Sequence, residues 1–387
     1  MVTWKVPLAD LNYGTEEEQA VLKVLRSRWL TMGAVTAEFE ARFKELSAAR
    51  HAVAVTNATA ALHLACLTLG IGPGDEVILP ALTFAASANA VLYCGAEVVF
   101  GEVSGADDLN LNPQDVEARL SPRTRAIMVV HYGGYPAAMA EITEIARRHG
   151  LAVIEDAAHA PGAYLNGRHL GTFGDIGCFS FFSNKNLATG EGGMLVTNRD
   201  DLAERARLLR SHGMTTLTWE RHQGHAHSYD VVDLGYNYRI DEIRSALGLA
   251  QLEKLNACNG RRAQICNTYW HALQDTPLQL PFCSEYMGAP EIMGDQEDRR
   301  PAYHLFPILL PPGLERAAFM QQLREAGIQT SIHYPPVHRF RYYRERYPGV
   351  SLPLTEEIAS RQVSLPLYPS MTAELVELVV EAVIQAL

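Results

Sequence analysis

Seven short apolar runs recur through the first half of the chain: Ala52–Thr56, Glu76–Pro80, Glu97–Phe100, Ala126–His131, Leu151–Glu155, Ile176–Phe181 and Gly193–Asn198. Each is unbroken rather than alternating, the pattern of a strand covered on both faces. Between the early runs lie stretches with helical spacing, such as Thr59–Leu69 and Ala138–His149. Strands buried on both faces and joined by helices restrict the chain to an α/β fold. A mostly parallel seven-stranded sheet flanked by helices is expected. Beyond about residue 245 the texture changes. A long helical pattern, Asp241–Leu255 and onward to Leu273, leads into a Pro-rich stretch. The pieces Ala302–Leu310, Leu314–Ala326 and Ile328–His333 read as strand, helix and strand, and Ala373–Leu387 as a closing helix. At 387 residues the chain is long for a single core. The expected division is residues 1–245, an N-terminal segment and a large α/β domain, and residues 246–387, a smaller α+β domain.

Charge and composition narrow the function classes. Lys and Arg number 33 against 44 Asp and Glu, a net charge of −11. Such a chain lacks the broad positive field that non-specific nucleic-acid binding needs. The uncharged run Val77–Ala96 is interrupted by Pro80, Thr83, Ser87 and Asn89, so it reads as strand, turn and helix start instead of a membrane span. The N-terminus shows no basic region followed by an apolar core, and a cytoplasmic location is expected. Six scattered cysteines without a C-x-x-C pair read as buried free thiols. Gly70-Ile71-Gly72-Pro73-Gly74 ends a helix instead of opening one, which is the wrong context for a dinucleotide fingerprint. The His-rich stretch Arg221–His227 reads as a solvated loop rather than a metal site. Arg339–Arg344 reads as a surface helix or a contact to a nucleotide diphosphate.

Ligands of open α/β sheets sit beyond the carboxyl ends of the strands, so the polar residues there carry the functional reading. After the first strand, Thr56-Asn57-Ala58-Thr59-Ala60 opens a helix; it is either a plain cap or a cradle for phosphate. After the second comes Phe84, either a core residue or a plate for a flat ring. After the fifth come Glu155 and Asp156, two consecutive carboxylates that need partners if buried. A metal, a lysine or a protonated ring nitrogen would each serve. His159 is the only other nearby ligand type, which counts against a metal. After the sixth, Lys185 stands beside Gly190-Glu191-Gly192-Gly193. It is either a snorkelling surface residue or an amine with a depressed pKa suited to Schiff-base chemistry. Together these residues fit one ligand, pyridoxal 5′-phosphate (PLP): phosphate at the helix start, ring on Phe84, pyridinium N–H on Asp156, aldehyde on Lys185.

The same residues, in this order, resemble the DegT/DnrJ/EryC1/StrS sugar aminotransferases, a branch of the fold-type-I PLP enzymes. The resemblance runs through Trp29–Gly33, Thr56–Leu62, Pro80–Phe84, Glu155–His159, Gly174–Phe181, Lys185–Gly193, Gly235–Arg239, Ile332–Pro335 and Ser364–Pro369. It implies that Lys185 binds the aldehyde and then moves protons, with Asp156 on the ring nitrogen. It implies Phe84 on the ring face and His159, where the family often has Gln, near the ring. Thr59, Ala60 and Ser180 would hold the phosphate. Asn237 would reach the phosphate of a second subunit in a homodimer with shared sites. Arg239, His333 and Tyr334 are the substrate-binding candidates. The implied reaction carries an amino group from an amino acid, L-glutamate, to a nucleotide-linked keto-sugar. A cyclitol ketone is an alternative acceptor. A dehydratase branch carries histidine in place of the lysine, and silent regulators share the fold; Lys185 and Asp156 set this chain apart from both.

Overall fold

The computed structural model describes residues 4–215, 229–288 and 299–387. The seven anticipated strands form one sheet: β1 (His51–Val55), β2 (Glu76–Pro80), β3 (Glu97–Gly101), β4 (Thr124–Val130), β5 (Ala152–Asp156), β8 (Ile176–Ser180) and β9 (Gly193–Thr197). Two-residue strands β6 (Tyr164–Leu165) and β7 (Arg168–His169) lie between β5 and β8 in the chain. They pair with β10 (Arg299–Arg300) as a small ribbon. The order in the large sheet is β1-β9-β8-β5-β4-β2-β3. Only β9 runs against its neighbours, pairing antiparallel with both β1 and β8.

Strand residues alternate between two cores, as a period of two requires. Val53, Val77, Leu79, Met128 and Ile154 face one side. They meet apolar residues of α3 (Ala58–Thr68), α4 (Ala85–Tyr93) and α7 (Asp200–Arg210). Ala52, Ile78, Ile127 and Val153 face the other. They meet α2 (Ala34–Ser47), the short α5 (Pro113–Ala118), α6 (Met139–His149) and the long α8 (Glu242–Leu273). α1 (Thr15–Ser27) packs along α8 outside this layer.

The rest of α8 enters a third core. Ile265, Tyr269, Trp270 and Leu273 pack there with β11 (Phe306–Leu309), β12 (Gln362–Leu365) and the closing helix Ala373–Gln385. Tyr132 and Tyr135, from the loop after β4, reach into the same cluster. The expected boundary at 245/246 falls inside the first turn of α8. One expected strand does not form. Residues 328–333, whose middle Gln329-Thr330-Ser331 is polar, make only isolated bridges, Ile328 to Val6 and Ser331 to Ser364 of β12.

Candidate active site

A cavity of about 500 Å³ opens where β4, β5 and β8 end side by side. The register sets Val130 opposite Asp156 and Asp156 opposite Cys178, so these strand ends converge on one place. Eight of the sequence candidates line it: Thr59, Phe84, Asp156, His159, Ser180, Lys185, His333 and Tyr334.

Alternation resolves the paired carboxylates. Glu155 shares its parity with Val153 and points to the α2–α6–α8 side, where it is fully buried. Its oxygens accept from Gly171 N (2.7 Å), Gly174 N (2.6 Å) and His131 Nε2 (3.0 Å). His131 Nδ1 accepts from Ala137 N at 3.2 Å, so the neutral ring carries its proton on Nε2 and donates it to Glu155. Glu155 is thus a structural anchor for the loop before β8.

Asp156 shares its parity with Ile154 and points into the cavity. It is only 5% exposed. Ser87 Oγ donates to Oδ2 at 2.7 Å and Ala158 N to Oδ1 at 3.2 Å. Thr83 lies 2.9 Å behind Ser87 and completes the relay. Burial pushes the Asp156 carboxyl upward, against the pull of these donors and of Lys185. A cation seated against it would bring it back down.

Lys185 sits on the turn after β8, where its N–H donates to Phe182 O at 2.8 Å. The following segment is pinned from two sides: Tyr13 OH donates to Ala188 O at 2.8 Å, and Thr189 N to Phe181 O at 2.8 Å. Burial draws the Lys185 amine from 10.5 down to about 8, with Asp156 opposing the fall. The surface-lysine reading is therefore set aside.

The start of α3 is a cap and a cradle together. Asn57 Oδ1 accepts from Ala60 N at 2.8 Å, so Ala60 lies outside the cavity lining and its N–H is spent on the cap. The N–H groups of Ala58 and Thr59 have no partner among the described residues, and both residues line the cavity. The first residue of β9 passes very close to this cradle. A Cβ on Gly193 would lie 2.5 Å from the Asn57 carbonyl carbon and 2.8 Å from Ala58 N, so only glycine lets β9 run there.

Phe84 is 61% exposed at the cavity mouth, with its ring 6.0 Å from that of Tyr334. The core reading of this residue does not hold. His159 Nδ1 accepts from Gly133 N at 3.2 Å, which leaves the proton on Nε2, 3.0 Å from Tyr334 OH. The tyrosine oxygen accepts that proton and keeps its own for the cavity. His333 is held by Gln362 on its N–H (2.9 Å) and by Ser364 Oγ at Nδ1 (2.9 Å); its carbonyl accepts from Tyr132 OH. Burial pushes His159 well below its ordinary value and His333 to about 4.

Two candidates stand apart. Asn237 is exposed and Arg239 half-buried, and neither lines the cavity. Ser87 and His304 are functional partners that sequence reading did not single out. They reach Asp156 and Lys185 from 69 and 119 residues away, and no local pattern marks either. The His-rich residues 221–227 lie outside the described residues. No cluster able to hold a metal ion occurs among the described residues.

The chemistry of these donors suits PLP. Two unpaired N–H groups and the Ser180 hydroxyl suit a phosphate, an exposed aromatic plate suits a flat ring, and a buried carboxylate suits a protonated ring nitrogen. A depressed amine suits an aldehyde.

The sequence profile of the DegT/DnrJ/EryC1/StrS aminotransferase family matches residues 12–384. Among solved structures, DesV of S. venezuelae is 36% identical, with 99% of each chain covered and a TM-score of 0.88. The sugar aminotransferase CalS13 of Micromonospora echinospora is 30% identical, covering 98% of this chain and 99% of its own, with a TM-score of 0.86. Spr1654 of Streptococcus pneumoniae, solved in a PLP form, is 25% identical over 99% of both chains, with a TM-score of 0.87. No helix among the described residues is long and apolar enough to cross a membrane. With a matching profile over nearly its whole length, the chain belongs to the DegT/DnrJ/EryC1/StrS family of PLP-dependent aminotransferases.

Proposed function

We propose that this enzyme moves an amino group from L-glutamate to the ketone of a nucleotide-linked sugar, in two half-reactions with ping-pong kinetics. One observation carries the reading: the Lys185 amine and the buried Asp156 carboxylate face the same cavity of about 500 Å³. Family members whose names state a sugar aminotransferase support the acceptor class.

When bound, PLP supplies an electron sink for the amino-acid carbon. Asp156, held by Ser87 and Ala158, keeps a ring nitrogen protonated. Phe84 covers one ring face. The Ala58 and Thr59 N–H groups and Ser180 hold the phosphate, with the Asn57–Ala60 cap fixing the start of the helix. Lys185 accepts and returns the proton at the reacting carbon, and an amine drawn down to about 8 is suited to do both near neutral pH. Tyr334, with its hydroxyl proton free of His159, and His333 orient the substrate.

The site is completed by a second copy of the chain. Asn237 and Arg239 lie off the subunit's own cavity, on a segment whose Tyr229, Val231, Val232 and Leu234 are exposed apolar residues (Leu234 at 80%). Their burial between two copies would bring Asn237 to the partner's phosphate and Arg239 to its substrate. The division into residues 1–245 and 246–387 belongs to the same reading; it is supported by the separate core around β11 and β12.

The pH dependence of cofactor capture follows from the amine. Only neutral Lys185 attacks an aldehyde. The rate at which cofactor-free protein captures PLP should rise through a midpoint near pH 8 and level off above it. Below the midpoint it should fall about tenfold per unit. Stopped-flow absorbance over pH 6–11 measures this; a rate still climbing past pH 10 is what an ordinary exposed lysine gives. The acceptor is tested with the protein in its aminated-cofactor form, offered nucleotide-linked keto-sugars and free cyclitol ketones. Formation of an amino sugar still bearing its nucleotide supports the proposal, and reaction with cyclitol ketones alone refutes it.

A further inference from the structure

In each half-reaction Lys185 spends part of the cycle free of the cofactor, and its amine then needs a partner in a buried place. His304 provides one. Its residue lies before β11, outside the large sheet, yet its Nε2 is 3.4 Å from Lys185 Nζ. The ring is fixed from behind. Asn186 Nδ2 donates to Asn259 Oδ1 (2.8 Å) and to Ala302 O (2.6 Å), which leaves Asn186 Oδ1 turned toward His304 Nδ1 at 3.0 Å. An oxygen acceptor there requires the proton on Nδ1, and in the neutral ring Nε2 is then a bare lone pair. We propose that His304 is a positioning residue for Lys185: held by Asn186 with Nε2 unprotonated, it accepts a hydrogen bond from Nζ and parks the free amine facing the cavity.

The surroundings keep the ring neutral. Burial lowers the His304 pKa far below its usual value, and Lys185, His159, Arg262 of α8 and His333 lower it further. The Arg262 guanidinium is buried, with Nη1 donating to Leu367 O at 2.7 Å. The His159 ring stacks obliquely on His304, with centroids 4.4 Å apart. The other titratable groups lining the cavity among the described residues are Asp156, which favours the ammonium, Glu191, and Tyr334, whose hydroxyl burial keeps protonated. A bare nitrogen stabilises an ammonium better than a hydrocarbon does, so loss of His304 should lower the Lys185 pKa as well as release the amine.

This inference rests on Lys185 being the cofactor-binding amine, and its test separates the two. The readout is PLP capture by the cofactor-free protein, followed by absorbance against pH, with no turnover involved. In His304→Phe the midpoint should drop by about one unit and the plateau rate about tenfold. His304→Gln, whose Oε1 can occupy the Nε2 position, should restore the midpoint. Asn186→Ala leaves the histidine but frees its tautomer, and should lower the midpoint like His304→Phe; this variant carries the test if His304→Phe does not fold. A wild-type midpoint in His304→Phe or in Asn186→Ala overturns the proposal, as does an equal shift in His304→Phe and His304→Gln. Capture by Lys185→Ala would instead overturn the assignment of the lysine.

Discussion

Lys185→Ala is expected to abolish amino transfer, with a loss of roughly 10⁴-fold or more, because no other amine lines the cavity among the described residues. Asp156, His159 and Tyr334 cannot replace it. Burial alone still holds His159 below its ordinary value once the amine is gone, and the Tyr334 hydroxyl is pushed far up, so neither exchanges protons readily near neutral pH. The fold should survive, since the turn at Lys185 is held by its backbone N–H on Phe182 O and by Thr189 on Phe181 O. Steady-state rates with matched circular dichroism check both points. Turnover within tenfold of wild type would show that another group moves the proton.

Asp156→Asn should lower turnover by roughly 10²–10³-fold while leaving the protein folded. Asparagine can keep its oxygen on the Ala158 N–H and donate from Nδ2 to the Ser87 hydroxyl oxygen, but it cannot hold a facing nitrogen in its protonated form. The cofactor should still be captured, because Lys185 and the start of α3 are untouched. Normal turnover in this variant would mean that Asp156 is only a structural carboxylate, as Glu155 is. The neighbouring change is the internal control. Glu155→Gln should damage stability, since it weakens the bonds to Gly171, Gly174 and His131.

The strands were legible because burial on both faces forces unbroken apolar runs; each of the seven lies within two residues of its expected place. Residues 328–333 were a weaker case: only Ile328 and Ile332 are apolar, Gln329-Thr330-Ser331 lie between them, and the segment makes isolated bridges instead of a ladder. At the site, residues just past strand ends could be read because topology delivers them to one edge of the sheet. That rule found Thr59, Phe84, Asp156 and Lys185, while Ser180 entered through the family resemblance. The choice of Asp156 over Glu155 for the ring nitrogen has its physical basis in strand parity, which is visible only once the two cores are known. His304 and Ser87 were not legible at all. Each acts through a hydrogen bond to a residue far along the chain, and such contacts leave no local pattern. Asn237 and Arg239 lie off the subunit's own cavity, and the role proposed for them needs a second copy of the chain.

In the proposed reaction a lysine-bound PLP accepts an amino group here. Its most direct test is the visible absorption spectrum of the PLP-loaded protein before and after addition of L-glutamate. The expected result is a yellow band that is absent from Lys185→Ala and that bleaches in the wild type as the cofactor takes up the amino group. A protein that shows no such band with PLP, or a band unchanged by glutamate and by every other amino acid, would contradict it.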